Sequence, residues 1–405
     1  MKTEVTEFDG PIAIDGVRLS AATAGIRSRS RNDVALVELI PSAQSAAVFT
    51  QNKFCAAPVI IARENIAVTQ PRFLIFNSGN ANAGTGKKGI GDARVVIDEL
   101  ARICGCSPTE ILPFSTGVIG ERLYPEKIVA VLPELATSLA ADKWHAAATA
   151  IMTTDLVEKC SSLEIKIDGQ SYRVSGIAKG SGMIHPNMAT MLAFIATDAN
   201  IHREHLQTLL AECVNQSFNR ISVDGDTSTN DACVLASTGT ASNESQLTPE
   251  HFHWPAIASG ISKVFESLAK AIVRDGEGAT KFVEIIVQSS NEQDSLAIAT
   301  TVAQSPLVKT ALFASDPNWG RILAAIGRSP VEFMAVHEIS FWLNDYQIVK
   351  NGEPLDTYEE SVAAAIMAET EIVLRISVGQ GQAQARLWTC DLSYDYVRIN
   401  AEYRS

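Results

Sequence analysis

Apolar and polar positions along the chain follow two rhythms, and these predict alternating strands and helices. Phe73-Leu-Ile-Phe76 is a continuous apolar run ended by Asn77-Ser-Gly79, the pattern of a short buried strand. From Asp92 to Ile103, Val95, Val96, Leu100 and Ile103 recur at helical spacing, with Gly105 as a stop. Leu163, Ile165 and Ile167 alternate with Glu164, Lys166 and Asp168, and Tyr172 and Val174 follow Asp168-Gly169. That reads as two strands joined by a tight turn. His205 to Phe218 and Ile257 to Ile272 each carry one apolar face, so two amphipathic helices are expected. Ser305-Pro306 reads as an N-cap with proline at the first helical position. Glu371–Val378 and Ala383–Cys390 read as strands paired around Gly379-Gln-Gly381. The sum is a layered α/β protein, with no short-period repeat, low-complexity tract or Pro-rich linker.

Composition narrows the function classes. The 405 residues are 46% hydrophobic and 20% charged, enough to bury a sizeable core and build two or three lobes. A formal charge of −13 repels phosphate backbones and anionic lipid, so neither nucleic acid nor membrane is an expected partner. The seven cysteines are odd in number and scattered, which favours free thiols in a reducing compartment. No secretory leader or transmembrane run is read, and the expected location is the cytoplasm.

Four motifs carry less than they first suggest. Gly84-Thr-Gly86-Lys-Lys-Gly89 matches G-x-G-x-x-G, but Asn77 to Ala83 separate it from the strand, so a flexible loop is the better reading. Asp224-Gly-Asp226-Thr-Ser228 resembles a calcium loop. Thr229 and Leu235, however, stand where the turn glycine and the bidentate glutamate belong. A turn whose Asp and Thr side chains bond their own backbone is expected there. Cys104-Gly-Cys106 lacks a second pair, and His202 with His205 lacks a third ligand, so no metal site is read.

The segment Lys179 to Asp198 differs in kind. Glycines and Pro186 lead into Ala189-Thr190, and an apolar run follows at once. The residues alone leave two readings open. Thr190 simply opens a buried strand, or its hydroxyl attacks the Ala189 carbonyl and cuts the chain. A cut would free the Thr190 α-amine, whose ordinary pKa of about 7.7–8.0 lets it serve as its own base near neutrality.

At this segment the chain resembles the ornithine acetyltransferase family, the bifunctional glutamate N-acetyltransferases of arginine biosynthesis. The resemblance rests on eight blocks in order. These are Asn77-Ser-Gly-Asn-Ala-Asn82, Ser115-Thr-Gly-Val-Ile-Gly120, Met152-Thr-Thr-Asp155, and Gly182-Met-Ile-His-Pro-Asn-Met-Ala-Thr-Met-Leu192. Ser222-Val-Asp-Gly-Asp-Thr-Ser-Thr-Asn-Asp231, Gly276-Glu-Gly-Ala-Thr-Lys281, Asp316-Pro-Asn-Trp-Gly-Arg321 and Asn400-Ala-Glu-Tyr-Arg-Ser405 follow.

The resemblance implies an Ntn-hydrolase-like fold of the DmpA/ornithine acetyltransferase type, with mixed sheets sandwiched by helices. It also implies self-cleavage between Ala189 and Thr190 into an α chain, 1–189, and a β chain, 190–405, assembled as α₂β₂. Thr190 would take the acetyl group from N²-acetylornithine and pass it to glutamate. Thr116 and Gly117 match the family's oxyanion-hole pair. Thr153, Lys179, Thr190, Glu277, Asn400 and Ser405 match its substrate positions, with Glu277 either holding an ammonium or handling protons. No bound cofactor is implied; bifunctional members use acetyl-CoA as a further acetyl donor. Gly84 replaces a usual Cys, and Leu156 a usual Thr. The competing expectations are a self-processed aminopeptidase or amidohydrolase and a non-catalytic amino-acid-binding module.

Overall fold

The computed structural model describes residues 3–27, 31–185, 191–241, 246–332 and 334–402. These fall into two compact units. The first comprises Met1–Gly180, Asn187–Asn219 and Thr227–Ile272; the second comprises Ser181–Pro186, Arg220–Asp226 and Val273–Ser405.

The first unit is built on two mixed sheets. Its strands are β1 (Thr3–Phe8), β2 (Val17–Ala22), β3 (Val34–Leu39), β4 (Gln44–Phe49), β5 (Phe73–Asn80) and β6 (Ile111–Val118). There follow β7 (Lys159–Ile167), β8 (Gln170–Lys179), β9 (Leu192–Thr197) and β10 (Ala232–Ser237). One sheet runs β1-β7-β8-β9-β10-β4 and the other β2-β3-β5-β6. Strand alternation explains how the layers stack. In β3, Ala35, Val37 and Leu39 join a core shared with Phe194, Ala196, Val234 and Ala236 of the larger sheet. Val34 and Leu36 point the other way, into a core with Val96, Ile97 and Leu100. Those last three belong to helix α2 (Gly86–Cys104), which lies with α1 (Ala57–Val68) beside the smaller sheet. Helix α3 (Trp144–Ala150) enters the inter-sheet core, and Trp144 stacks on Phe194 at 5.5 Å. The outer face of the larger sheet carries α4 (Arg203–Gln216) and α5 (Trp254–Arg274). Gly176 and Gly260 leave the room that Leu268 and Ile165 fill at that contact. The result is helix, sheet, sheet, helix.

The second unit has one mixed sheet, formed by β11 (Phe282–Ser289), β12 (Ile339–Leu343), β13 (Tyr346–Lys350), β14 (Glu371–Val378) and β15 (Ala383–Cys390). Two-residue strands, Ile221–Ser222 and Glu353–Pro354, close its edges. Helices α6 (Glu292–Ala303), α7 (Pro306–Phe313) and α8 (Trp319–Gly327) cover one face.

Most predicted elements appear, with three corrections. The tight turn is present: Asp168 and Gly169 both have positive φ, 49° and 92°, as a type I′ hairpin requires. Ser305 caps α7. The Phe73–Phe76 strand, however, continues through Asn77-Ser-Gly to Asn80, because a parallel partner, β6, takes up its backbone groups. Helix α2 begins at Gly86, so the glycine motif is its first turn and not a flexible loop. A Cβ at Gly89 would meet Thr85 Oγ1 at 1.9 Å, and Asn82 Nδ2 donates to the Gly89 carbonyl. Finally, β14 and β15 exist but do not pair. They flank β11, one parallel and one antiparallel, while Gly381 crosses the end of β11 with its Cα hydrogen facing the Ser289 carbonyl.

Candidate active site

In the first unit the site forms where β5 and β6 end side by side. Gly79 of β5 lies opposite Gly117 of β6. Gly117 has a φ of +133°, and a Cβ there would stand 2.3 Å from the Gly79 carbonyl carbon and 2.5 Å from Asn80 N. Only glycine fits, and its N–H is thereby held on a rigid parallel pair. Buried amides fix the surrounding chain. Ser115 Oγ donates to Asn77 Oδ1 (2.6 Å), Asn77 Nδ2 to the Asn80 carbonyl (2.9 Å), and Asn230 Nδ2 to the carbonyls of Ala81 (2.6 Å) and Ser115 (2.9 Å).

Thr116 is buried, and its neighbour decides how its hydroxyl is used. Lys179, only 3% exposed at the end of β8, donates from Nζ to Thr116 Oγ1 at 3.1 Å. An ammonium is a donor only, so Thr116 accepts here and its own proton is left to point elsewhere. A threonine so held is preset as a donor. Asp155 anchors the base of this arrangement. It accepts from Lys159 Nζ (2.6 Å), Gly180 N–H (2.8 Å) and Thr153 N–H (2.9 Å). Burial pushes its carboxyl up, but the Lys179 and Lys159 charges and these bonds outweigh that and hold it well below the usual carboxylate range. Thr153 is half-buried beside this carboxylate.

The second unit presents Glu277 and Asn400. Glu277 is 7% exposed and accepts from Asn400 Nδ2 at 2.7 Å. Its carboxyl lies where a Cβ on Gly182 would be, 2.3 Å from such an atom. Helix α9 (Tyr394–Ala401) carries Asn400 and docks on the 276–280 turn. Ser393 Oγ donates to the Gly278 carbonyl, and Asp391 accepts from Thr280 and Lys281. Asp224 accepts from the N–H groups of Met183 and Ile184. This aspartate therefore bonds chiefly a distant strand of chain and only secondarily its own turn, at Asp226 N.

The structure thus unites Thr116, Gly117, Thr153 and Lys179 in one unit, and Glu277 with Asn400 in the other. Ala189, Thr190 and Ser405 lie outside the described residues. Sequence reasoning missed Asp155, Lys159, Asn230 and Asp231. Asp155, Asn230 and Asp231 stand in quoted blocks, but only the fold shows what their side chains hold. Among the described residues, His145, Glu158 and Cys160 bring potential ligand atoms within 4.8 Å of one another. Burial and Glu158 push that thiol up to about 12, so without an ion it is neutral.

Comparison with known proteins shows the family. The ArgJ family matches residues 18–405. The arginine biosynthesis bifunctional protein ArgJ of Methylococcus capsulatus is 52% identical over 399 residues, 98% of this chain and 96% of that protein. The protein of the same name from Psychrobacter arcticus is 48% identical over 393 residues, 97% of each. A crystal structure of ArgJ from Bacillus halodurans is 43% identical, with a TM-score of 0.49, and covers 51% of this chain and 96% of that one.

Proposed function

The chain belongs to the ArgJ family, and from that membership we propose that it moves the acetyl group of N²-acetylornithine to glutamate, with Thr190 as the nucleophile. It is an arginine-biosynthesis acetyltransferase acting on small molecules. The observation that carries this reading is the extent of the match, because residues 18–405 include every site position from Thr116 to Ser405.

In the reaction, the Thr190 hydroxyl adds to the acetyl carbonyl of acetylornithine, and its proton passes to the Thr190 α-amine. The oxyanion is taken by the Thr116 hydroxyl and the Gly117 N–H, donors of a kind that contribute about 3–4 kcal/mol each. Collapse expels ornithine, which receives the proton, and leaves an acetyl ester on Thr190. Glutamate's amine then repeats the addition and leaves as N-acetylglutamate. The burial of Lys179 and its bond to Thr116 support this, since they orient the donor before substrate arrives. Glu277 and Asn400 are assigned to the substrate's polar groups. Acetyl-CoA serves as a second acetyl donor to the same threonine, with no bound cofactor. The protein self-cleaves at Ala189–Thr190 and assembles as α₂β₂. The cytoplasm is its proposed location, supported by seven free thiols. Among the described residues no single helix is long and apolar enough to cross a membrane.

Incubating purified protein with acetylornithine and glutamate tests the reaction. Ornithine and N-acetylglutamate should appear together, and fragments of 189 and 216 residues on a denaturing gel. Acetate without acetylglutamate would identify a hydrolase instead.

A further inference from the structure

We infer that Asp231 is a positioning residue for the reaction at Thr190, acting through the amide of Met191; this rests on the acetyl-transfer reading above. Met191 is the first described residue after the proposed junction. Its N–H donates to Asp231 Oδ1 at 3.0 Å, and its carbonyl accepts from Ala232 N–H at 3.2 Å. Both polar groups of that backbone unit are therefore held by two consecutive residues at the start of β10. The Met191 N–H belongs to the peptide bond joining positions 190 and 191 in the sequence, so the hold acts at the bond next to the proposed nucleophile.

The choice of a carboxyl for this task is costly. Asp231 is 1% exposed, and among the described residues its Oδ2 has no hydrogen-bond partner. A buried carboxyl loses the solvation it had in water, so packing alone does not account for it. Burial pushes this carboxyl well up, opposed by the Met191 N–H, by the Ser228 side chain and by the charge of Lys179. Lys179 lies across β9, opposite Leu192, while Ala232 flanks Leu192 on the other side. The first residues of β9 thus run between the lysine that orients Thr116 and the aspartate that holds Met191.

The experiment uses the full chain and three variants. Asp231→Ala removes the acceptor, Asp231→Leu removes it while keeping the side-chain shape, and Asp231→Asn keeps a carbonyl for the Met191 N–H. Precursor cleavage on gels, kcat and KM for both substrates, and the melting temperature are measured for each. The alanine and leucine variants should slow cleavage and lower kcat by roughly tenfold or more, with KM changed by less than about twofold, and the asparagine variant should recover most of both. If the alanine variant fails to fold, the leucine and asparagine pair decides. Unchanged kcat in the leucine variant, a rise in KM instead of a fall in kcat, or a folded asparagine variant as slow as the leucine variant would overturn the inference. Wild-type protein that neither cleaves nor forms acetylglutamate would instead defeat the transferase reading.

Discussion

A threonine hydroxyl has one proton to give, and at Thr116 the neighbouring ammonium fixes its use by occupying the oxygen as an acceptor. That predicts a specific pattern. Thr116→Val, which keeps the shape without the hydroxyl, should lower kcat by about a hundredfold or more with little change in KM, and Thr116→Ser should restore most of it. Steady-state kinetics check this, and an unchanged kcat would remove Thr116 from the chemistry. The carboxylate below it matters differently. Asp155 is buried against Lys159 and held ionised by that pairing and by Lys179. Asp155→Ala removes the carboxylate that pairs with Lys159 and faces Lys179, and should cost about 3–5 kcal/mol in urea unfolding.

At the scale of elements, strand and helix identity was legible because it depends on local period. β7, β8, α5, β14 and β15 lie where the apolar rhythm predicts them, and α7 where Ser305-Pro306 predicts a helix start. Asp168-Gly169 also declared its pairing, since two positive-φ residues bring adjacent strands together. Gly379-Gln-Gly381 did not, because Gly381 serves a crossing over β11 and not a hairpin. Register with β11 is a contact between residues nearly a hundred positions apart, which no local pattern encodes. The site shows the same division. Thr116, Gly117 and Lys179 stood out through family motifs, whereas the work of Asp155 and Asp231 depends on chain brought from elsewhere. The crossing is testable. A Cβ on Gly381 would lie 2.1 Å from the Ser289 carbonyl oxygen, so Gly381→Ala should destabilise by about 2 kcal/mol or more. Gly327, at the end of α8 with open space around it, is the control: Gly327→Ala should stabilise by up to about 1 kcal/mol.

Over the whole molecule, pH dependence should carry the mark of buried acids, Asp198 among them. Burial raises Asp198 to about 6, against the opposing effects of the Arg173 N–H and the Arg173 charge. A carboxyl raised in the folded state favours folding when protonated, so its contribution is full below about pH 4 and lost as pH rises through 6. Asp198→Asn keeps the acceptor for Arg173 N–H and removes the ionisation. It should therefore be more stable than wild type by on the order of 2–3 kcal/mol at pH 8, with most of that gain gone near pH 4. Denaturant titrations at the two pH values test this.

The larger sheet of the first unit has one more consequence. Its order is β1-β7-β8-β9-β10-β4, so two strands from beyond residue 190 are enclosed on both sides by strands from before it. A chain cut at that junction is bound across two ladders, β8 to β9 and β10 to β4. Folding before the cut is a unimolecular search with its ends tethered; refolding after the cut is a bimolecular encounter that depends on concentration. A mature molecule would thus be unable to trade a damaged half for a sound one without unfolding. Mixing isotopically heavy and light mature protein should give no hybrid α–β pairs under native conditions, whereas a damaged half can be complemented only while both chains are still folding.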